Sequence, residues 1–166
     1  MVTDYETRAK RFIEQIFPEI EDFTDYEVVE QNVYSFNSKH NRHVIMDHGL
    51  TRIALITSDY VVKFDYNEYQ IKRFGGCEEE IKFYELAKRD GFEYLFAKIT
   101  RYQYQGHYFY IMPRIEDIGK TDYDAWEYMN DEECDWCTDH GLFDLHCKNY
   151  GWRNGRVCII DYGAHD

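Results

Sequence analysis

Residues 139–163, DHGLFDLHCKNYGWRNGRVCIIDYG, constrain this chain more than any other stretch. Trp152-Arg153-Asn154-Gly155-Arg156-Val157 reads as a two-residue hairpin, because Asn-Gly tolerates the positive φ angles of a type I′ turn. Such a hairpin folds the chain back and brings Asn149 towards Asp161. Asp144 precedes Asn149 by five positions, and Asp161 follows it by twelve. Two oxygen ligands held together, with a third acid close by, suit Mg²⁺, which takes few protein oxygens and completes its shell with phosphate and water. The spacing therefore predicts a site for phosphoryl transfer.

The rest of the chain supplies strands and helices around that stretch. Thr3-x-x-Glu6 reads as a capping box, and Tyr5, Ala9, Phe12, Ile13 and Ile16 recur at helical spacing, so a helix is expected over about 4–17, ended by Pro18. Residues 27–37 and 42–47 have the composition of strands. Leu50–Thr57 and Tyr60–Tyr66 form a hairpin across Ser58-Asp59; in its second strand Val61, Lys63 and Asp65 share one face and Val62 and Phe64 the other. Residues 77–89 read as a helix stopped by Gly91, opened by the acidic run Glu78-Glu79-Glu80 that the helix dipole favours. Ala97–Tyr104 and His107–Met112 pair across Gln105-Gly106. Thr121–Asn130 and Asp131–His140 are expected to be helical.

Charge decides what such a chain meets. Nineteen basic against 32 acidic residues leave a net charge of −13, which repels nucleic acid and anionic membrane and favours a basic protein partner. The same surface could mimic DNA. No apolar run approaches the roughly 20 residues needed to cross a bilayer. No signal-peptide pattern is read, so the five Cys are expected to be reduced thiols in a cytoplasmic protein.

Asp144-x-x-x-x-Asn149 followed by Ile160-Asp161-Tyr162-Gly163 resembles the catalytic loop and metal-binding Asp-Phe-Gly of the protein-kinase-like superfamily. Asp144-Leu145-His146 is closer to the aminoglycoside and choline phosphotransferase branch, and to small kinase-like proteins encoded by phages. The resemblance implies Asp144 as catalytic base, with Asn149 and Asp161 holding Mg²⁺. Val61-Val62-Lys63-Phe64 is similar to the strand whose Lys contacts the nucleotide phosphates. Glu80, 17 residues on, is similar to the helix acid that orients this Lys; Glu78 and Glu79 are adjacent alternatives. Met112-Pro113-Arg114 resembles the linker that receives adenine. Asp47-His48-Gly49-Leu50-Thr51-Arg52 stands where the family has a triple-Gly loop, leaving Gly49 and Arg52 to serve the phosphates. Two further departures are Leu142, where the family usually has His, and His146, where protein kinases have Lys.

The expected fold is α+β, a minimal kinase-like architecture. Residues 1–113 form a lobe with an antiparallel sheet of about five strands and the Lys/Glu helix. Residues 114–166 form a second lobe, strongly truncated because the chain stops three residues after Gly163. The function read from these residues is an ATP- and Mg²⁺-dependent phosphotransferase acting on a protein or small-molecule hydroxyl. The alternatives are a weak or inactive kinase-like binding protein, such as an acidic inhibitor of a basic host protein, and a metal-dependent hydrolase using the same acids. So small a second lobe also invites completion by a partner or a second copy as a homodimer. Cys134-x-x-Cys137-x-x-His140 reads first as small buried side chains on one helix face, with zinc binding as the alternative.

Overall fold

The computed structural model describes residues 4–18, 25–66, 71–72, 75–115 and 123–162. Thr3, expected to open the first capping box, and Gly163 lie outside the described residues. The chain divides into two units, residues 1–77 with 99–114, and residues 78–98 with 115–166. The class is α+β, as expected.

The first unit is built on strands β1 (Ile45–His48), β2 (Arg52–Ile56), β3 (Tyr60–Asp65), β4 (Thr100–Tyr104) and β5 (His107–Pro113). They form an antiparallel sheet in the order β1-β2-β3-β5-β4. Alternation along the strands sends Ile53, Leu55, Val62, Phe64, Phe109 and Ile111 to one face. There they pack against helix α1 (Asp4–Ile16) through Ala9, Phe12 and Ile13, and against helix α2 (Tyr26–His40) through Val29 and Val33. Phe17, just past α1, stacks on Phe109 at 5.5 Å between ring centroids and meets Phe64 edge-on at 5.6 Å. Glu6 does not remain a surface cap: it is buried and accepts the Thr100 hydroxyl of β4 at 2.7 Å.

Helix α2 corrects the expectation of strand over 27–37. Its β-branched and aromatic residues fit a strand by composition, but Val29, Val33 and Phe36 recur at helical spacing and pack against the core. The ends confirm the choice. Asp25 is an N-cap whose carboxylate accepts the amides of Glu27 (3.0 Å) and Val28 (3.3 Å), and Asn41 closes the helix in the left-handed region at φ 49°. Asn37 then clamps both backbone groups of Val44 at 2.9 Å, so the strand expected from residue 42 begins at Ile45.

In the second unit, helix α3 (Cys77–Asp90, from Glu78 onward) ends at Gly91, whose φ of +83° permits the left-handed stop. A 3₁₀ turn at Glu93–Leu95 follows. The helix expected over 121–130 is, among its described residues, a single 3₁₀ turn at Ala125–Tyr128. It stops there because Asn130 becomes the N-cap of helix α4 (Asp131–Asp139), in a reciprocal capping box with Glu133. Strands β6 (Tyr150–Arg153) and β7 (Arg156–Ile159) form the predicted hairpin, with Asn154 and Gly155 at φ 52° and 75°. Phe83, Phe96, Trp136 and Tyr162 form a continuous cluster of edge-to-face and tilted rings, with centroids 5.1–5.9 Å apart across Phe96–Tyr162, Phe83–Phe96, Phe83–Trp136, Phe96–Trp136 and Phe83–Tyr162. Among the described residues no helix is long and apolar enough to cross a membrane.

Candidate functional site

The loop that carries Asp144 and Asn149 is pinned by its apolar members. Leu142 and Leu145 are buried, and the Leu145 carbonyl accepts the amide of Ala125 at 2.8 Å. Between them Phe143 and Asp144 project outward, Phe143 being 67% exposed. Leu142, where the resemblance expects His, thus holds the loop by packing, not by a polar bridge.

Asn149 does the opposite: it is buried, and its amide is committed. Nδ2 donates to the Asp144 carbonyl at 2.9 Å, and the backbone amide donates to the His146 carbonyl at 2.9 Å. Its own carbonyl accepts the amide of Ile160 at 2.8 Å, which extends the β6–β7 ladder by one pair beyond Tyr150 and Ile159. The side chain is thereby oriented with Nδ2 spent on the loop and Oδ1 carrying the lone pairs. Asp161 directly follows Ile160. Its other neighbour, Tyr162, is buried, and its hydroxyl donates to the Ala97 carbonyl at 2.6 Å. Asp161 is therefore held between two anchored residues.

His146 was noted in the sequence only as a replacement for Lys. Its Nδ1 accepts the amide of Lys148 at 3.2 Å, and its Nε2 lies 3.3 Å from Asp144 Oδ1 and 3.3 Å from Asn149 Nδ2. The imidazole thus stands against both the Asp144 carboxylate and the Asn149 amide. Asn149 and Asp161 together offer an amide oxygen and a carboxylate, hard oxygen donors of the kind Mg²⁺ takes in small number. Among the described residues no group of three or more His, Cys, Asp or Glu side chains is arranged to hold a metal ion.

Of the three acids that open α3, only Glu80 is fully buried; Glu79 receives Lys82 Nζ at 2.9 Å. Burial of a carboxylate is costly without a compensating partner, so Glu80 is the one with a built environment.

In the first unit the register gathers three candidates on one face of the sheet. Lys63 lies opposite Ala54 and Tyr110, Met112 opposite Val61, and Arg52 opposite Asp65, all on the face turned away from α1 and α2. Lys63 and Met112 are both buried, although an isolated strand Lys ordinarily reaches solvent. Gly49 sits in the β1–β2 turn with its amide donating to the Arg52 carbonyl at 2.9 Å, and an added Cβ there would meet nothing within 4 Å.

Sequence reasoning missed the role of Asp65. Its Oδ1 accepts the amide of Cys77 at 2.9 Å, tying the end of β3 to the first residue of α3. Gly76 makes that approach feasible, because a Cβ there would lie 2.7 Å from the same oxygen. The only signal was the Gly75-Gly76 pair ahead of an acidic helix start.

The Cys134–Cys137–His140 constellation packs. Burial pushes the Cys137 thiol up to about 12, away from the thiolate that zinc binds, and the Cys134 thiol is also raised, first by burial. His140 stacks on Trp136 with ring centroids 4.3 Å apart, and its Nδ1 lies 2.7 Å from the Trp136 carbonyl. In comparisons with known proteins, no family model and no curated sequence matches this chain.

Proposed function

We propose that this chain is an ATP- and Mg²⁺-dependent phosphotransferase of the kinase-like type, acting on a hydroxyl of a protein or small molecule. The observation that carries the reading is the locked Asn149: its amide is spent on the Asp144 carbonyl, and its peptide is hydrogen-bonded to Ile160, the residue before Asp161. A carboxylate, an amide oxygen and a second carboxylate are thereby drawn from one loop and one hairpin, the arrangement that phosphoryl transfer uses for its base and its metal ligands. Asp144 takes the acceptor's hydroxyl proton, with His146 against its carboxylate. Asn149 and Asp161 would hold Mg²⁺, which when bound neutralises phosphate charge. Buried Lys63 binds the nucleotide phosphates, and Arg52 and Met112 share its sheet face. A second reading, nucleotide binding with little transfer, is favoured by one detail: the Gly49 amide is used within its own turn and is not directed at a phosphate.

The test is MgATP calorimetry followed by labelled phosphate transfer to the protein itself and to a lysate. Asp144→Asn should keep MgATP affinity and lower transfer by about 10²–10⁴-fold, the range for loss of a general base. Asp161→Ala should lose Mg²⁺-dependent binding. Binding without transfer in the unaltered protein would establish the second reading, and absence of nucleotide binding would refute both.

A further inference from the structure

The second unit carries a run of exposed rings that phosphoryl transfer does not use. Tyr123 precedes the 3₁₀ turn, Tyr128 is its last residue and Trp152 stands on β6; they are 58%, 43% and 45% exposed. They touch in sequence: Tyr128 meets Trp152 at 4.8 Å between centroids and 73°, and Tyr123 at 6.4 Å and 69°. The assembly is held from beneath. Fully buried Tyr150 donates its hydroxyl to the Tyr123 carbonyl at 2.6 Å, and its ring lies 6.1 Å from that of Tyr128. Large rings left in water but fixed in mutual orientation mark a binding surface better than single exposed residues do.

Charge selects the occupant. Residues 123–147 contain eight Asp or Glu and not one Lys or Arg. Asp124, Glu127, Asp131 and Glu132, in and around the turn that carries the rings, are exposed. The two arginines of the adjoining hairpin are already engaged: Arg153 donates to the carbonyls of Tyr94 and Phe96, and Arg156 to Glu133 while covering the Tyr94 ring at 4.7 Å. Ring faces attract cations, carboxylates pair with them, and the planar guanidinium does both at once better than an ammonium. A second copy would bring the same acids and a further −13, so self-association through this face is opposed.

We propose that Tyr123, Tyr128 and Trp152, with their acidic surround, form a docking surface for an arginine-rich segment of a partner protein. This surface is independent of the phosphotransferase reading and stands whether or not the chain transfers phosphate.

The experiment is fluorescence anisotropy of a labelled synthetic arginine-rich dodecapeptide titrated with the full chain at physiological salt, beside an oligolysine peptide of equal charge. The arginine peptide should bind more tightly than the lysine peptide. Tyr128→Ala/Trp152→Ala should weaken it by about tenfold, as loss of two cation–π contacts implies. Trp152→Phe, which keeps a ring face and guards against misfolding of the double variant, should stay within about threefold of the unaltered chain. Tyr34→Ala, which removes a 77% exposed ring of α2, should change nothing. Absence of binding, equal affinity for both peptides, or equal losses in Tyr34→Ala and the double variant would each overturn the proposal, since the last two would reduce the effect to bulk charge.

Discussion

Gly76→Ala tests whether Asp65 is the structural link between strand β3, which carries Lys63, and helix α3. The new Cβ would lie 2.7 Å and 2.8 Å from the two Asp65 carboxylate oxygens and 2.9 Å from the carbon between them. A free Asp side chain would swing aside at little cost, but this one is tethered through Oδ1 to the Cys77 amide at 2.9 Å. The chain must either accept the overlap, which in a packed site costs about 1–3 kcal/mol, or release the cap, which costs about 0.5–2 kcal/mol. It takes the cheaper route, so the expected loss is about 1–2 kcal/mol, or a fall in Tm of about 2–8 °C for a domain of this size. The assay is urea and thermal unfolding followed by circular dichroism, run as a double-mutant cycle with Asp65→Ala. Once the carboxylate is gone, the alanine meets no obstacle, and it restricts the unfolded chain. Gly76→Ala in the Asp65→Ala background should then be neutral or stabilising by up to about 1 kcal/mol. An equal penalty in both backgrounds would refute the tether and place the strain in the backbone.

Two further outcomes follow from the burial pattern. Tyr162→Phe removes the hydroxyl donated to the Ala97 carbonyl at 2.6 Å and should destabilise the protein by about 1–3 kcal/mol in the same unfolding assay, the cost of a buried acceptor left unpaired. Alkaline pH should also unfold the chain. Burial raises the Cys137 thiol from 9.0 to about 12 and the Cys158 thiol to about 11, so the unfolded state releases these protons first. Stability is fully present below pH 9 and falls as pH rises through the raised values, by about 1.4 kcal/mol per pH unit for each thiol until its folded-state value is reached. Raising pH from 9 to 11 should lower the urea midpoint of the unaltered protein and do so less in Cys137→Ala; an equal fall in both would remove the thiol from the account.

What the sequence determined by itself is what short-range chemistry decides. Asn154-Gly155 called for positive φ and adopts it, and the hairpin expected across Gln105-Gly106 forms. The helix from Cys77 to its stop at Gly91 was legible from its period and its glycine. The hairpin expected between Asn149 and Asp161 forms, and it pairs Asn149 with Ile160, the residue before Asp161. Residues 27–37 were misread because β-branched content is a weak preference, outweighed by an Asp25 cap, an Asn41 stop and a core that rewards burial of Val29 and Val33.

The tertiary structure alone made Glu80 the fully buried one of three consecutive acids. It alone brought Asp65 to Cys77 across twelve residues, and Tyr162 to Ala97 across 65. It also set Trp152 beside Tyr128 on a surface whose acids come from the turn and helix that follow Tyr123. These are pairings between distant segments, and their energy depends on which groups the fold removes from water together. Local periodicity and turn chemistry carry no record of that choice.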